Sequence, residues 1–223
     1  EWADLVPTAP PERPHGRAAD DEWSVIDRGA SWVTLALDYP EPEDVSRLVR
    51  TVRLREDGAR IDFELTLSAR RPARTPVGLH PILRLPSTPG DLSLEVTFER
   101  GFTYPGTVWP GAGVAAPAQT FSRLDRVPAP GVSTVDLSRL PLSSPVEDIV
   151  LLAGVTSPVI ARFVDDETLV RLDWDRELIP NVMLWLSDRA LQDEPWNGRY
   201  RGLGVEPIAA AFDMDECVSV APN

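Results

Sequence analysis

Arg60-Ile61-Asp62-Phe63-Glu64-Leu65-Thr66-Leu67-Ser68 decides the fold class. Ile61, Phe63, Leu65 and Leu67 fall on one face and their polar neighbours on the other, the period-2 pattern of a half-buried antiparallel strand. Leu92-Ser93-Leu94-Glu95-Val96-Thr97-Phe98 alternates in the same way, and Thr168-Leu169-Val170-Arg171-Leu172-Asp173-Trp174 does so less regularly. Ser24-Val25 and Trp32 to Leu37 read as hairpin arms joined across Asp27-Arg28-Gly29. Asn181-Val182-Met183-Leu184-Trp185-Leu186 is apolar on both faces, as a central strand between layers must be. Glu43 to Val49 fits either a short helical turn or the lead-in to a strand. The 23 prolines leave little room for long helices, and the stretches Gly106 to Pro117 and Val127 to Pro145 read as loops. There is no internal repeat. The expectation is an all-β chain, a single domain over residues 1–223, built from packed antiparallel sheets.

Composition narrows the function classes. The chain has 223 residues, 43% of them hydrophobic, which suffices for a sizeable core. Its net charge of -13 argues against nucleic acid, whose phosphates need a basic surface. No apolar run reaches the ~20 residues of a membrane helix, and no signal-peptide pattern opens the chain. All 22 basic residues are arginines, so lysine Schiff-base chemistry is excluded. Cys217 is the single cysteine, so neither an intrachain disulfide nor a cysteine-based zinc cluster can form, and no metal site is expected. No Gly-rich phosphate loop is present, so no cofactor is expected either. These features fit a protein of the reducing cytoplasm, a monomer or homodimer, acting on a small molecule.

Two separated stretches carry the chemistry: Gly78-Leu79-His80-Pro81 and Gly204-Val205-Glu206-Pro207. Each sets a proton-transfer residue immediately before a proline, at the end of an apolar run. Proline pushes the residue before it toward extended geometry, which restrains the backbone that carries the functional side chain. A histidine and a carboxylate held on a rigid sheet can work as an acid/base pair.

In chain order, four stretches resemble the galactose mutarotase-like superfamily, the aldose 1-epimerases and hexose-6-phosphate 1-epimerases. Pro14-His15-Gly16 followed by Trp23 resembles the family's "HG…W" segment. Gly78-Leu79-His80-Pro81 resembles its "HPYF" segment, with Ile82-Leu83 in place of the aromatic pair. Glu147-Asp148-Ile149-Val150-Leu151 resembles the segment in which an Asp precedes a strand. Pro180 to Trp185, Pro195-Trp196-Asn197-Gly198 and Leu203-Gly204-Val205-Glu206-Pro207 resemble the C-terminal block.

The resemblance implies a β-supersandwich with the site in a cleft on one sheet, and a sugar as ligand. It implies that Glu206 is the base that takes the C1 hydroxyl proton and His80 the acid that protonates the ring oxygen. It further implies sugar contacts from His15, Asp148 and the turn residue Trp196. In the sugar-phosphate branch an Arg shortly after "HG" contacts phosphate. Here Arg17 is the displaced counterpart, with Arg13 nearby, and Asp20 and Asp21 follow, so a neutral sugar is the expected ligand. The region before His15 is short or incomplete relative to the family. The alternative function is a catalytically weak carbohydrate-binding or sensing protein on the same scaffold, because fold alone does not settle function.

Overall fold

The computed structural model describes residues 15–55, 59–131 and 133–212. Arg13, Pro14 and Cys217 lie outside them. The described residues form two compact units, one within Pro10–Thr75 and one within Pro76–Asn223. Among them the longest helix is a single turn, α1 (Arg17–Asp20), and no described helix is long and apolar enough to cross a membrane.

The first unit is a four-stranded antiparallel meander of β1 (Ser24–Arg28), β2 (Trp32–Asp38), β3 (Val45–Leu54) and β4 (Ile61–Ala69). The alternating stretch Arg60 to Ser68 forms β4. It pairs Phe63 with Val52 and Leu67 with Leu48, so its apolar residues share a face. Ile61 and Phe63 on that face remain exposed. The hairpin between β1 and β2 turns two residues later than its sequence suggests. β1 runs through Asp27 and Arg28 with an irregularity after Val25, and the Gly29 N–H closes the turn on the Trp32 carbonyl at 2.9 Å. The ambiguous stretch Glu43 to Val49 is a strand lead-in, with β3 starting at Val45.

The second unit is a pair of packed antiparallel sheets. One has the order β11 (Arg139–Leu140), β6 (Leu92–Glu95), β13 (Val159–Phe163), β14 (Leu169–Leu172). The other has six strands in the order β5 (Ile82–Arg84), β16 (Arg201–Ile208), β15 (Asn181–Asp188), β12 (Val146–Ala153), β7 (Arg100–Thr103), β8 (Thr120–Phe121). The Pro-rich stretch Val127 to Pro145 is not loop throughout. It contains β9 (Val127–Ala129), β10 (Ser133–Val135) and β11, each two or three residues long, too short for alternation to reveal.

β15 shows how the sheets divide their labour. Val182, Leu184 and Leu186 point into the inter-sheet core, where they meet Leu92, Val159 and Ala161 of the facing sheet. Each of these residues is almost fully buried, and removing a valine or leucine side chain from water contributes about 1.5–3 kcal/mol. The intervening Met183, Trp185 and Ser187 point to the other side of the six-stranded sheet. There Met183 joins a second, smaller apolar cluster with Ile149, Leu151, Ile208 and Phe212. That outer face carries the candidate site.

Candidate active site

The two His/Glu–Pro motifs are neighbours in space. Gly78 bridges Ile208, and Ile82 pairs with Gly204; the same register sets His80 directly across from Glu206. The Leu79 N–H donates to the Pro207 carbonyl and the Val205 N–H to the Pro81 carbonyl, each at 2.9 Å. These bonds lie one residue to either side of the His80–Glu206 pair, so that pair occupies a non-hydrogen-bonded site of the ladder. Side chains come closest at such sites. Both prolines thus accept from the opposite strand at the point where a proline cannot donate; the missing N–H of Pro207 faces the short edge segment rather than β15, and that of Pro81 faces β16. His80 Nε2 lies 3.5 Å from Glu206 Oε1. The Glu206 side chain is buried, at 5% exposure, whereas His80 is open at 36%.

Glycine makes room for the carboxylate. A Cβ at Gly204 would stand 2.1 Å from Glu206 Oε1 and 3.1 Å from the Trp185 Cβ. The Glu206 carboxylate therefore folds back along its own strand, over Gly204 and beside Trp185. His80 meets the Trp185 ring edge-on at 5.9 Å. Tyr200 stacks on Trp185 at 5.6 Å, and Trp196 abuts Tyr200 at 5.0 Å. An aromatic row of Trp196, Tyr200 and Trp185 thus ends at the His80–Glu206 pair.

A second carboxylate lies on this face. Glu147 of β12 pairs with Ser187 of β15. Its Oε1 accepts from Trp185 Nε1 at 2.5 Å and its Oε2 from Ser187 Oγ at 2.6 Å. Burial pushes the Glu147 carboxyl above the usual range, the two hydrogen bonds pull it down in part, and neighbouring Asp148 adds to the rise. Burial, then the charges of Glu147 and Glu206, push the Tyr200 phenol up, which keeps it a neutral hydroxyl donor.

Asp148, expected to contact sugar, occupies the other face. Its Oδ2 accepts from the Val114 and Ala115 N–H groups at 2.7 and 2.8 Å, and its Oδ1 from the Ile149 N–H at 2.9 Å. Burial raises its pKa while these backbone donors lower it. It pins the 114–115 loop and is separated from Glu206 by the sheet. Successive strand residues point to opposite faces, so the motif Glu147-Asp148 offers one carboxylate to each, and the one on the candidate face is Glu147. Trp196 is near the pair through Tyr200 and is partly exposed, on the loop between β15 and β16.

His15 and Arg17 belong to the other compact unit. His15 is exposed in the turn before α1. Arg17 of α1 is held by Asp21 at 2.9 Å and by Glu43. The sequence reading missed Glu147, Ser187 and Tyr200. One signal for them was available: Tyr200, Gly202, Gly204 and Glu206 alternate along one strand, and the two glycines mark where something must lie close to the backbone.

No protein-family model and no curated protein matches the chain. Two solved structures resemble it in fold. One is a "putative aldose 1-epimerase" of Escherichia coli K12, with TM-score 0.53 and 13% identity, covering 92% of this chain. The other is a galactose mutarotase related enzyme of Lactobacillus acidophilus, with TM-score 0.50 and 16% identity, covering 87%. The chain spans 64% and 61% of the lengths of these two proteins. Its fold is galactose mutarotase-like.

Proposed function

We propose that the protein is an aldose 1-epimerase-like isomerase that interconverts the α and β anomers of a neutral sugar in the cytoplasm. The observation that carries this reading is the cross-strand His80–Glu206 pair, 3.5 Å apart beside an aromatic row.

In the forward direction the Glu206 carboxylate takes the proton of the C1 hydroxyl. The C1–O5 bond breaks, O5 receives a proton from the His80 imidazolium, and an open-chain aldehyde results. Rotation about C1–C2 presents the other carbonyl face. O5 then attacks C1, returning its proton to His80, while the carbonyl oxygen takes the proton back from Glu206. Atoms and charge balance with no cofactor. Imidazole is suited to the second role because it changes charge near neutral pH. The partly exposed Trp196 supplies a face on which a sugar ring can stack.

The test is the approach of fresh α-glucose and α-galactose to anomeric equilibrium, followed by polarimetry. Wild-type protein is expected to accelerate it, and Glu206→Gln, which keeps shape but removes the base, to lose about 10²–10⁴-fold. A folded wild-type protein that binds sugar without accelerating anomerisation would instead establish the sugar-binding alternative.

A further inference from the structure

Glu147 shares a sheet face with the His80–Glu206 pair, yet its carboxylate is spent on neighbouring residues. The residue is 4% exposed. Its Oε1 accepts from Trp185 Nε1 at 2.5 Å and its Oε2 from Ser187 Oγ at 2.6 Å. Both donors stand on β15, and one carboxylate holds the two because it has an acceptor oxygen for each. Indole has a single hydrogen-bond donor, so turning the Trp185 ring away forfeits the bond to Glu147. Stacking with Tyr200 at 5.6 Å restricts the ring further. The ring held in this way touches both members of the pair. His80 meets it edge-on at 5.9 Å. The Trp185 Cβ and Glu206 Oε1 lie against one point, 3.1 and 2.1 Å from where a Cβ on Gly204 would stand. Contact therefore runs from Glu147 on β12, through Trp185 on β15, to Glu206 on β16 and His80 on the edge segment.

Resting on the anomerase reading above, we propose that Glu147 is a positioning residue, which orients the Trp185 indole as the wall against which His80 and Glu206 are set. It moves no proton of the sugar itself. Its effect is to hold acid and base in the one relative placement that the reaction needs, where a misplacement of about 1 Å costs about 10²-fold. Glutamine can replace it with one bond reversed: the amide oxygen accepts from Trp185 Nε1 and the amide N–H donates to Ser187 Oγ. Leucine can make neither bond and leaves the indole donor without its acceptor.

Two readouts test this. The first is the indole proton–nitrogen NMR spectrum of the sugar-free protein, with the Trp185 signal assigned by its loss in Trp185→Phe. A charge-assisted bond to a carboxylate should set that signal downfield of Trp23 and Trp174, whose indoles bond backbone carbonyls. Glu147→Leu should abolish the displacement. The second readout is polarimetry on α-glucose and α-galactose, with kcat and KM separated. Glu147→Leu is expected to lower kcat by about 10–100-fold with KM little changed, and Glu147→Gln to retain most of it. Because the effect runs through the indole, Glu147→Leu should cost less than about a further twofold in a Trp185→Phe background. A folded Glu147→Leu with wild-type kcat, an equal loss in both backgrounds, or a Glu147→Gln as impaired as Glu147→Leu would each overturn the positioning role and leave the proposed activity standing. Should Glu147→Leu fail to fold, wild-type kcat in Trp185→Phe overturns it equally. An undisplaced Trp185 signal overturns it whether or not the protein is active. A wild type that accelerates no anomerisation sinks the activity and the positioning role together.

Discussion

Two buried carboxylates in the second unit have opposite electrostatics, and pH separates them. Glu147 is raised by burial, so the folded state holds its proton more tightly than the unfolded chain does. Its contribution to stability is complete below the ordinary glutamate range and is lost as pH rises through the elevated folded value. Glu147→Gln removes that titration. Its thermal midpoint relative to wild type should therefore improve as pH is raised from about 4 to 7. A constant difference between the two proteins across that range would show that Glu147 titrates normally. Asp188 is the converse case. Burial pushes its pKa up, but hydrogen bonds from Arg189 at 3.0 Å and Arg201 at 2.7 Å outweigh burial and hold it low. Its stabilisation is complete above the ordinary aspartate range and is lost as pH falls through the depressed folded value. Asp188→Asn should cost about 1.5–3 kcal/mol at neutral pH, the range for hydrogen bonds to charged groups. Denaturant titration should show this loss shrinking toward pH 2. Loss of equal size at both pH values would assign the effect to packing instead.

At the scale of the strand, β16 works because it is thin where its neighbours are thick. Gly204 has no side chain where the Glu206 carboxylate rests, and the atom that a methyl group would strike is the mobile end of that carboxylate. Gly204→Ala is therefore expected to displace Glu206 while leaving the ladder with β15 intact. Anomerisation should fall by up to about 10²-fold, the usual consequence of a misplacement near 1 Å, with the thermal midpoint shifting by only a few degrees. A drop in activity matched by collapse of the midpoint would mean that Gly204 serves the fold rather than the carboxylate. The same scale explains what could be read in the sequence. β4 is legible because nine residues alternate without interruption, and β15 because its apolar run is long enough to require cover on both faces. The pairing of His80 with Glu206 is only half legible. The motifs mark two restrained residues, but their register depends on a bridge between Gly78 and Ile208 that no local pattern encodes. β12 shows the sharpest limit. Val146 to Leu152 is buried throughout, so polarity does not distinguish its two faces, and an error of one residue exchanges Glu147 for Asp148.

For the whole molecule, net charge and local constellation make separate demands on the ligand. A charge of -13 opposes the approach of a phosphorylated sugar, yet at physiological salt this repulsion is screened over about 8 Å. Only a cluster of arginines could reverse the preference locally, because phosphate recognition uses charge-assisted, often bidentate, hydrogen bonds. Arg17 is the residue whose sequence position suggests such a role, and in its own unit it is already engaged by Asp21 and Glu43. The carboxylates Glu147 and Glu206 on the candidate face would add to the unfavourable field. Glucose is therefore expected to bind at least as tightly as glucose 6-phosphate at physiological salt. Lowering the salt should weaken the phosphate ester further and leave glucose unchanged. Calorimetric titration of both ligands at low and at physiological salt distinguishes the cases. Tighter binding of glucose 6-phosphate, with the gain abolished in Arg17→Ala, would mean that this arginine exchanges its two carboxylate partners for phosphate and that the substrate is a sugar phosphate.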